Sequence, residues 1–264
     1  FSHMSTHPFM DISKARVLIS NDDGIHAPGL KALEKVVRSI AREVWVVAPA
    51  DEQSAASHAL TVRRPLRINK LGPKRFTVDG TPTDCVLMAI GEIMRDNPPD
   101  MVLSGINRGG NLGDDVTYSG TIAAAMEATI LGIPAIAFSQ YFESGGPLKW
   151  ATGTQWVPKI MKKLKGFSLP DNALLNINFP NVSADKVKGI DITRQGACKF
   201  TDLIRENSDP RGYPYYWINF SEHDPRNPKG TDLASVLGGS ISITPLSVDL
   251  TDRKTAKSLK TIFP

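Results

Sequence analysis

Cysteine is scarce in this sequence of 264 residues, where only Cys85 and Cys198 occur. Two cysteines are too few for a disulfide framework or for a zinc site built from cysteines. Cys85 falls in a predicted helix, where we expect it to pack rather than to react. The shortage of cysteine is typical of a reducing compartment, so we expect a cytoplasmic protein.

Long apolar runs and dense positive charge are also missing. No stretch approaches the roughly 20 apolar residues of a membrane helix, so no membrane span is expected. The net charge of +4 slightly favours anionic ligands. Lys and Arg are scattered, however, which argues against binding of a nucleic-acid duplex. Residues 1–14 lack the apolar segment of a signal peptide and open with what resembles a vector-derived remnant ending at Met4. We expect them to form a disordered leader.

Apolar segments and helical periods alternate along most of the chain. Residues 17–20 and 44–47 are short apolar runs, and between them a helix begins near Pro28. The pattern then repeats, with strands at 101–103, 135–138 and 174–179 and helices from 81, at 120–131 and at 148–164. Apolar strands separated by helices are typical of a parallel sheet covered on both faces. We therefore predict an α/β fold with a Rossmann-like, doubly wound, mostly parallel sheet, spanning residues 15–185.

Two parts of the chain depart from this pattern. Residues 60–79 alternate polar and apolar types around a Gly-Pro turn, which predicts a β-hairpin insertion beside the main sheet. Residues 186–264 predict a smaller β-rich C-terminal extension that packs on the core or reaches a partner subunit. Its short β-like segments lie at 190–193, 215–220 and 240–244.

Polar residues follow three of the predicted strands. Asp22 and Asp23 come directly after the first, Ser54 lies in the loop after the second, and Asn107 follows the strand at 101–103. Ligands of open α/β sheets bind beyond the carboxyl ends of the strands, and two adjacent carboxylates repel each other unless something compensates. Oxygen ligands of these kinds suit one divalent cation, Mg²⁺ or Mn²⁺. The alternative is an ordinary Asp-Gly turn, but the place of the pair at a strand end favours a metal site.

A glycine-rich segment, residues 109–113, precedes Ser119, Gly120 and Thr121 at the start of a predicted helix. Glycines, hydroxyl groups and a helix N-terminus favour an anion such as phosphate. The alternative is a loop whose Ser or Thr merely caps the helix, and the spacing alone leaves both open. His26 and His58 lie in the loops after the first two strands, where a histidine is more often exposed or hydrogen-bonded support than catalytic.

Three motifs stand out. The first, from Ile19 to Gly29, reads ISNDDGIHAPG, and the second, from Gly80 to Val86, reads GTPTDCV. The third combines SGIN at 104–107, NLGDDV at 111–116 and YSGT at 118–121. With further stretches at 209–212 and 242–246, the chain from about 16 to about 252 resembles the stationary-phase survival protein SurE family. Members of that family are nucleoside monophosphate phosphatases, also called 5'/3'-nucleotidases.

This resemblance implies a Rossmann-like core, a cytoplasmic location, and dimers or tetramers assembled partly through exchanged C-terminal segments. It places the family's metal ligands at Asp22, Asp23, Ser54 and Asn107. The sequence departs from the family at Ala55, where a glycine is frequent. If this position needs a positive φ, Ala55 shifts the loop that carries Ser54.

The expected reaction is hydrolysis of nucleoside 5'- and 3'-monophosphates, with short-chain polyphosphate as a further candidate substrate. A cation-bound water attacks phosphorus opposite the leaving oxygen, and Asp22 or Asp23 orients or deprotonates that water. The residues expected to bind the substrate are Asn107, Ser119, Gly120 and Thr121.

Three other functions are alternatives to this one. A signalling receiver domain places a phosphoacceptor Asp after a central strand, whereas Ser104 and Gly105 follow the strand at 101–103, and the chain is about twice the length of such a module. An aspartyl-phosphate phosphatase usually separates its two Asp by one residue, whereas Asp22 and Asp23 are adjacent. A nucleotide-binding protein without catalysis stays open, because motifs locate groups without fixing their geometry.

Overall fold

The computed structural model of the chain describes residues 6–142, 146–197, 204–218 and 227–263. The strands in these ranges are β1 Thr6–Pro8, β2 Arg16–Ser20, β3 Glu43–Pro49, β4 Ile68–Gly72, β5 Arg75–Val78, β6 Met101–Arg108, β7 Ala135–Gln140, β8 Ser168–Pro170, β9 Ala173–Phe179, β10 Ile190–Ile192, β11 Ile204–Ser208, β12 Pro214–Ile218 and β13 Ile241–Ser247. The α-helices are α1 Pro28–Arg38, α2 Pro82–Met88, α3 Gly120–Ile130, α4 Trp150–Leu164, α5 Asp232–Leu237 and α6 Arg253–Leu259.

Nine strands form one sheet in the order β10-β13-β9-β7-β6-β2-β3-β5-β4. The central strands from β9 to β5 are parallel to one another, while β13 and β4 pair antiparallel with β9 and β5. Helices α1 and α4 contribute to the core on one face, and α2 and α3 to the core on the other. The predicted α/β fold, a doubly wound and mostly parallel sheet, is confirmed.

Apolar residues at helical spacing explain how α1 and α3 pack on the sheet. In α1, Leu30, Leu33 and Val37 are buried on one side, and Pro28 occupies the first turn, where its missing N–H costs nothing. In α3, nearly every residue is buried and four are alanines. Small side chains allow this helix to lie close to the sheet. Its N-terminus therefore sits near the carboxyl ends of the strands.

The prediction of a disordered leader is wrong for residues 6–14. Strand β1 pairs antiparallel with β8 in a separate two-stranded sheet. Phe9 is 1% exposed in the core, and Ile12 is buried beside it. The absence of signal-peptide features says nothing about such packing, because two apolar side chains suffice to attach a short segment to a core.

The main sheet also extends further than predicted at both ends. Strands β13 and β10, from the predicted extension, continue it beyond β9. At the other edge β4 and β5 form the predicted hairpin, but β4 begins at Ile68 rather than near residue 60, and β5 pairs with β3 inside the sheet. The hairpin of β11 and β12 forms a separate two-stranded sheet, and residues 219 and 220 of the predicted strand lie outside the described ranges. The division into core and extension stays a prediction.

Cys85 lies buried in α2, and burial raises the pKa of its thiol well above the ordinary value, as expected of a packing residue. Cys198 and His223 lie outside the described residues. Among the helices in the described part of the chain, none combines the length and the apolar character needed to cross a lipid bilayer.

Candidate functional site

The loop after β2 packs tightly on the loop after β3. Gly24 turns the first loop with a φ of +92°. A Cβ atom at Gly24 would lie 3.3 Å from the carbonyl carbon of Asp51. The N–H of Ile25 donates to the carbonyl of Pro49 over 2.9 Å. The positive φ favours glycine at position 24, and the tight contact with Asp51 adds to this preference. The Ile25–Pro49 hydrogen bond holds the two loops in contact.

Asp22 is buried, with 4% of its surface exposed, and lies against the N-terminus of α3. The hydroxyl of Thr121 donates to its Oδ1. A Cβ atom on Gly120 would lie 2.7 Å from the Cβ of Asp22 and 3.1 Å from its Oδ2, so only glycine permits this approach. Burial raises the pKa of Asp22 to about 7; the Thr121 hydrogen bond lowers it and the charge of Asp23 raises it. The carboxylate is fixed in place but costly to ionise without a compensating positive charge.

Asp23 is half-buried at the same rim. Its Oδ2 accepts the backbone N–H of Arg108 over 3.1 Å, which ties it to the end of β6. Burial raises the pKa of Asp23, the Arg108 N–H lowers it, and the nearby negative charge of Glu52 raises it. Asp22 and Asp23 are therefore two carboxylates at one strand end, each fixed by a different neighbouring element.

Ser54 is brought to this rim by its loop. The N–H of the preceding residue, Gln53, donates to the carbonyl oxygen of Asp22 over 2.8 Å. Ser54 itself is exposed, and its hydroxyl donates to Oε1 of Glu52 over 2.7 Å. Ala55 has a φ of +59°, so this position does adopt the positive φ on which the effect of Ala55 depends. An alanine in this left-handed region is strained relative to glycine.

Asn107 is half-buried near the end of β6 and lies one residue before Arg108, the residue whose N–H contacts Asp23. The side-chain amide of Asn107 donates to the carbonyl of Gly109 over 3.1 Å. With its NH₂ group used in this way, its Oδ1 remains as an acceptor or ligand. The structure thus places Ser54 in a loop that is bonded to Asp22 through Gln53. Asn107 lies within β6, which continues past the predicted end at residue 103, and it precedes the residue whose N–H is bonded to Asp23.

At the start of α3, Ser119 caps the helix by accepting the N–H of Ile122 over 3.1 Å. The capping alternative therefore accounts for Ser119, although this bond leaves its own O–H hydrogen to donate elsewhere. Gly120 lies against Asp22, and the Thr121 hydroxyl is engaged by the same carboxylate. Of the four residues predicted to bind the substrate, Gly120 and Thr121 thus lie against Asp22.

The sequence reasoning missed the buried polar residues that hold the glycine-rich loop. Asn111 donates through its N–H to Asn178 over 2.8 Å, and its carbonyl accepts the side-chain amides of Asn176 and Asn178. Asp232, fully buried, accepts the N–H of Gly113 over 2.9 Å. Two asparagines at alternate positions of a strand with apolar neighbours were the available signal, because buried amides need partners. Asp232 gave no such signal.

The two loop histidines differ in their surroundings. His26 is exposed. His58 lies 2.9 Å from a carboxylate oxygen of Glu127, a buried residue of α3. This contact fits hydrogen-bonded support for the loop that carries Ser54.

The donor set at the rim suits a hard divalent cation. Asp22 is buried beside a second carboxylate, and both its burial and the charge of Asp23 raise its pKa. No group of three or more His, Cys, Asp or Glu side chains within the described ranges is arranged to hold a metal ion. Two carboxylates would therefore need oxygens of another kind to complete a cation site, and Ser54 and Asn107 offer a hydroxyl and an amide. The residues present fit such an ion.

Known proteins resemble this chain both in sequence and in fold. The family model described as "Survival protein SurE" matches residues 17–202. A protein of Paramagnetospirillum magneticum named 5'-nucleotidase SurE is 54% identical over 260 residues, covering 98% of this chain and 100% of its own. A protein of the same name from Parvibaculum lavamentivorans is also 54% identical, over 248 residues, covering 92% of this chain and 89% of its own. The crystal structure of SurE protein from Aquifex aeolicus superposes with a TM-score of 0.82 at 41% identity, covering 94% of this chain and all of that one. The chain belongs to the SurE family.

Proposed function

We propose that this protein hydrolyses the phosphomonoester bond of nucleoside monophosphates at a divalent cation held by Asp22, Asp23, Ser54 and Asn107. One observation carries the proposal. The backbone N–H of Gln53 donates to the carbonyl of Asp22 over 2.8 Å, and the backbone N–H of Arg108 donates to the carboxylate of Asp23 over 3.1 Å. These two bonds join the segments that carry the predicted hydroxyl and amide ligands to the carboxylate pair.

Family membership and the names of the relatives support a nucleotide as substrate. The relatives from P. magneticum and P. lavamentivorans are both named 5'-nucleotidase. We extend the activity to nucleoside 3'-monophosphates and to short-chain polyphosphate, since the cation and the phosphate group are common to all three substrates.

The residues of the proposed site have different roles in binding and proton transfer. A Mg²⁺ or Mn²⁺ ion held by Asp22, Asp23, Ser54 and Asn107 would polarise a phosphoryl oxygen and lower the pKa of a bound water molecule. The Asp22 carboxylate is held in a fixed position by the Thr121 hydroxyl and by the close packing of Gly120. The Asp22–Asp23 pair orients or deprotonates the attacking water.

The phosphate binds at the start of α3, where Ser119 supplies a hydroxyl. The positive end of the helix dipole favours negative charge at this point. Gly120 admits the close approach that the site needs, and Thr121 contributes by holding Asp22. Asn107 contacts the substrate phosphate as well as the cation.

The test is phosphate release from a panel of nucleoside 5'- and 3'-monophosphates and tripolyphosphate. Each substrate is assayed after EDTA treatment and after addition of Mg²⁺ or Mn²⁺. We expect release from the monophosphates that EDTA abolishes and a divalent cation restores. Turnover at the same rate in EDTA would contradict the proposed metal requirement. A lack of turnover with every cation would contradict the proposal that the protein is an enzyme.

We further propose that the protein is a cytoplasmic homodimer or homotetramer. The hairpin of β11 and β12 exposes large side chains, among them Tyr216 at 59%, Trp217 at 62% and Ile218 at 76%. Exposed apolar patches of this kind commonly mark protein contacts. Light scattering after gel filtration measures the mass in solution, and we expect Trp217→Ser to lower it; a monomeric wild type would refute the assembly.

A further inference from the structure

We propose that Glu52 is a positioning residue that orients the Ser54 hydroxyl for cation binding. The inference rests on the proposed function, since it assigns a partner to one of the proposed ligands. It starts from the hydrogen bond in which the Ser54 hydroxyl donates to Oε1 of Glu52 over 2.7 Å.

A neutral hydroxyl that binds a cation gives a lone pair to the ion, so its hydrogen must point away and find another acceptor. Glu52 is that acceptor. The hydrogen bond to this acceptor oxygen fixes the rotation of the hydroxyl, so that a lone pair of the Ser54 oxygen can face the ion. The Ser54 side chain is exposed and is otherwise free to rotate among its rotamers. The Glu52 bond removes this freedom.

The placement of Glu52 agrees with this role. Its charge acts on Asp23, so the carboxylate lies on the same side of the rim as the proposed cation site. The residue between Glu52 and Ser54 is Gln53, whose N–H is bound to the carbonyl of Asp22. The peptide that links Glu52 to Ser54 is therefore anchored to the Asp22–Asp23 loop, and the bond between the two side chains is formed within an anchored segment.

The alternative explanation is that Glu52 attracts the cation by its charge alone, and the two explanations make different predictions. Asp51, next to Glu52, is an exposed carboxylate of the same loop and serves as the matched control for charge. Glu52→Gln removes the charge but keeps an oxygen that accepts the Ser54 hydroxyl. Glu52→Ala removes both.

The experiment measures Mn²⁺ affinity by titration followed by electron paramagnetic resonance, which reports free Mn²⁺ without turnover. The proteins are the wild type, Asp51→Ala, Glu52→Ala, Glu52→Gln, Ser54→Ala and the double variant Glu52→Ala/Ser54→Ala. Thermal unfolding confirms that each is folded. Removal of a residue that orients a metal ligand typically weakens affinity about 10- to 100-fold.

We expect Glu52→Ala to weaken Mn²⁺ binding about tenfold, Glu52→Gln to retain most of the affinity, and Asp51→Ala to match the wild type. In the Ser54→Ala background, Glu52→Ala should add no further loss, because it acts through the missing hydroxyl. Equal losses in the two Glu52 variants, or an additive double variant, would overturn the positioning role while leaving the cation site intact. Wild-type protein that binds no Mn²⁺ would overturn the proposed function itself.

Discussion

Gly120 packs directly against Asp22, and Gly120→Ala tests what that contact does. The added methyl group would lie 2.7 Å from the Cβ of Asp22, 3.0 Å from Cγ of Pro82 and 3.1 Å from Oδ2 of Asp22. Ordinary van der Waals contact begins near 3.4 Å, so Asp22 and α3 must separate by roughly 0.7 Å. The Thr121 hydroxyl then loses its geometry with Oδ1.

The expected effect is large on catalysis and small on folding. Misplacement of a catalytic group on the order of 1 Å costs on the order of 100-fold in rate. Alanine gains about 1 kcal/mol over glycine in a helix, while overpacking costs about 1–3 kcal/mol, so stability changes by about 2 kcal/mol at most. We therefore expect phosphate release from a nucleoside 5'-monophosphate to fall about 100-fold, with the unfolding transition retained.

The matched control is Gly91→Ala. Gly91 lies in a helical turn after α2, and a Cβ atom there meets no other atom within 4 Å. This variant should keep wild-type activity. Gly120→Ala with activity within threefold of the wild type would refute the claim that the position of Asp22 is critical.

Three further predictions concern stability, each measured by urea unfolding. Ala55→Gly relieves the left-handed backbone at φ +59° and should stabilise the fold by up to about 1 kcal/mol. The control Ala56→Gly should not stabilise it. Destabilisation by Ala55→Gly would contradict the claim that the backbone at Ala55 is strained. Asp232→Asn leaves one of the N–H groups of Gly113 and Gly196 without an acceptor and should cost about 2–3 kcal/mol; a neutral result would count against that network. Glu43 has its pKa lowered from 4.5 to about 2, chiefly by the Trp45 indole N–H at 2.6 Å and also by Lys74 and Arg16. A lowered pKa stabilises the fold above the unfolded-state value and loses this effect as pH falls through about 2. The advantage of wild type over Glu43→Gln should therefore be smaller at about pH 3 than at about pH 7, and a constant difference would contradict the shift.

The parallel sheet was predictable because its signals are local. Strands β2, β6 and β7 each contain a short apolar run and are each followed by a helix, and both features are visible in a window of residues. The pairings at the sheet edges are not local. Strand β1 pairs with β8, and β13 enters the sheet between β9 and β10 from far along the chain. No window of sequence contains both members of such a pair.

The candidate site was predictable to the level of its strand ends. Asp22 and Asp23 follow a buried strand, Ser54 lies in the loop after one neighbouring strand, and Asn107 lies near the end of the other neighbour, β6. The contact of Gly120 and Thr121 with Asp22 was not predictable, because it depends on how closely α3 approaches the sheet. The same holds for Asp232, which reaches the glycine-rich loop only after the chain has folded.

The central claim is that Asp22 and Asp23 hold a divalent cation required for hydrolysis. Asp22→Asn tests it most directly, because asparagine keeps the size of the side chain and an oxygen for the Thr121 hydroxyl while it removes the charge. Mn²⁺ affinity and phosphate release are measured on the same preparation, with Asp51→Asn as the control for loss of a nearby charge. We predict that Asp22→Asn weakens Mn²⁺ binding by about 100-fold or more and abolishes release, while the control behaves as the wild type. Wild-type Mn²⁺ affinity in Asp22→Asn would contradict the account.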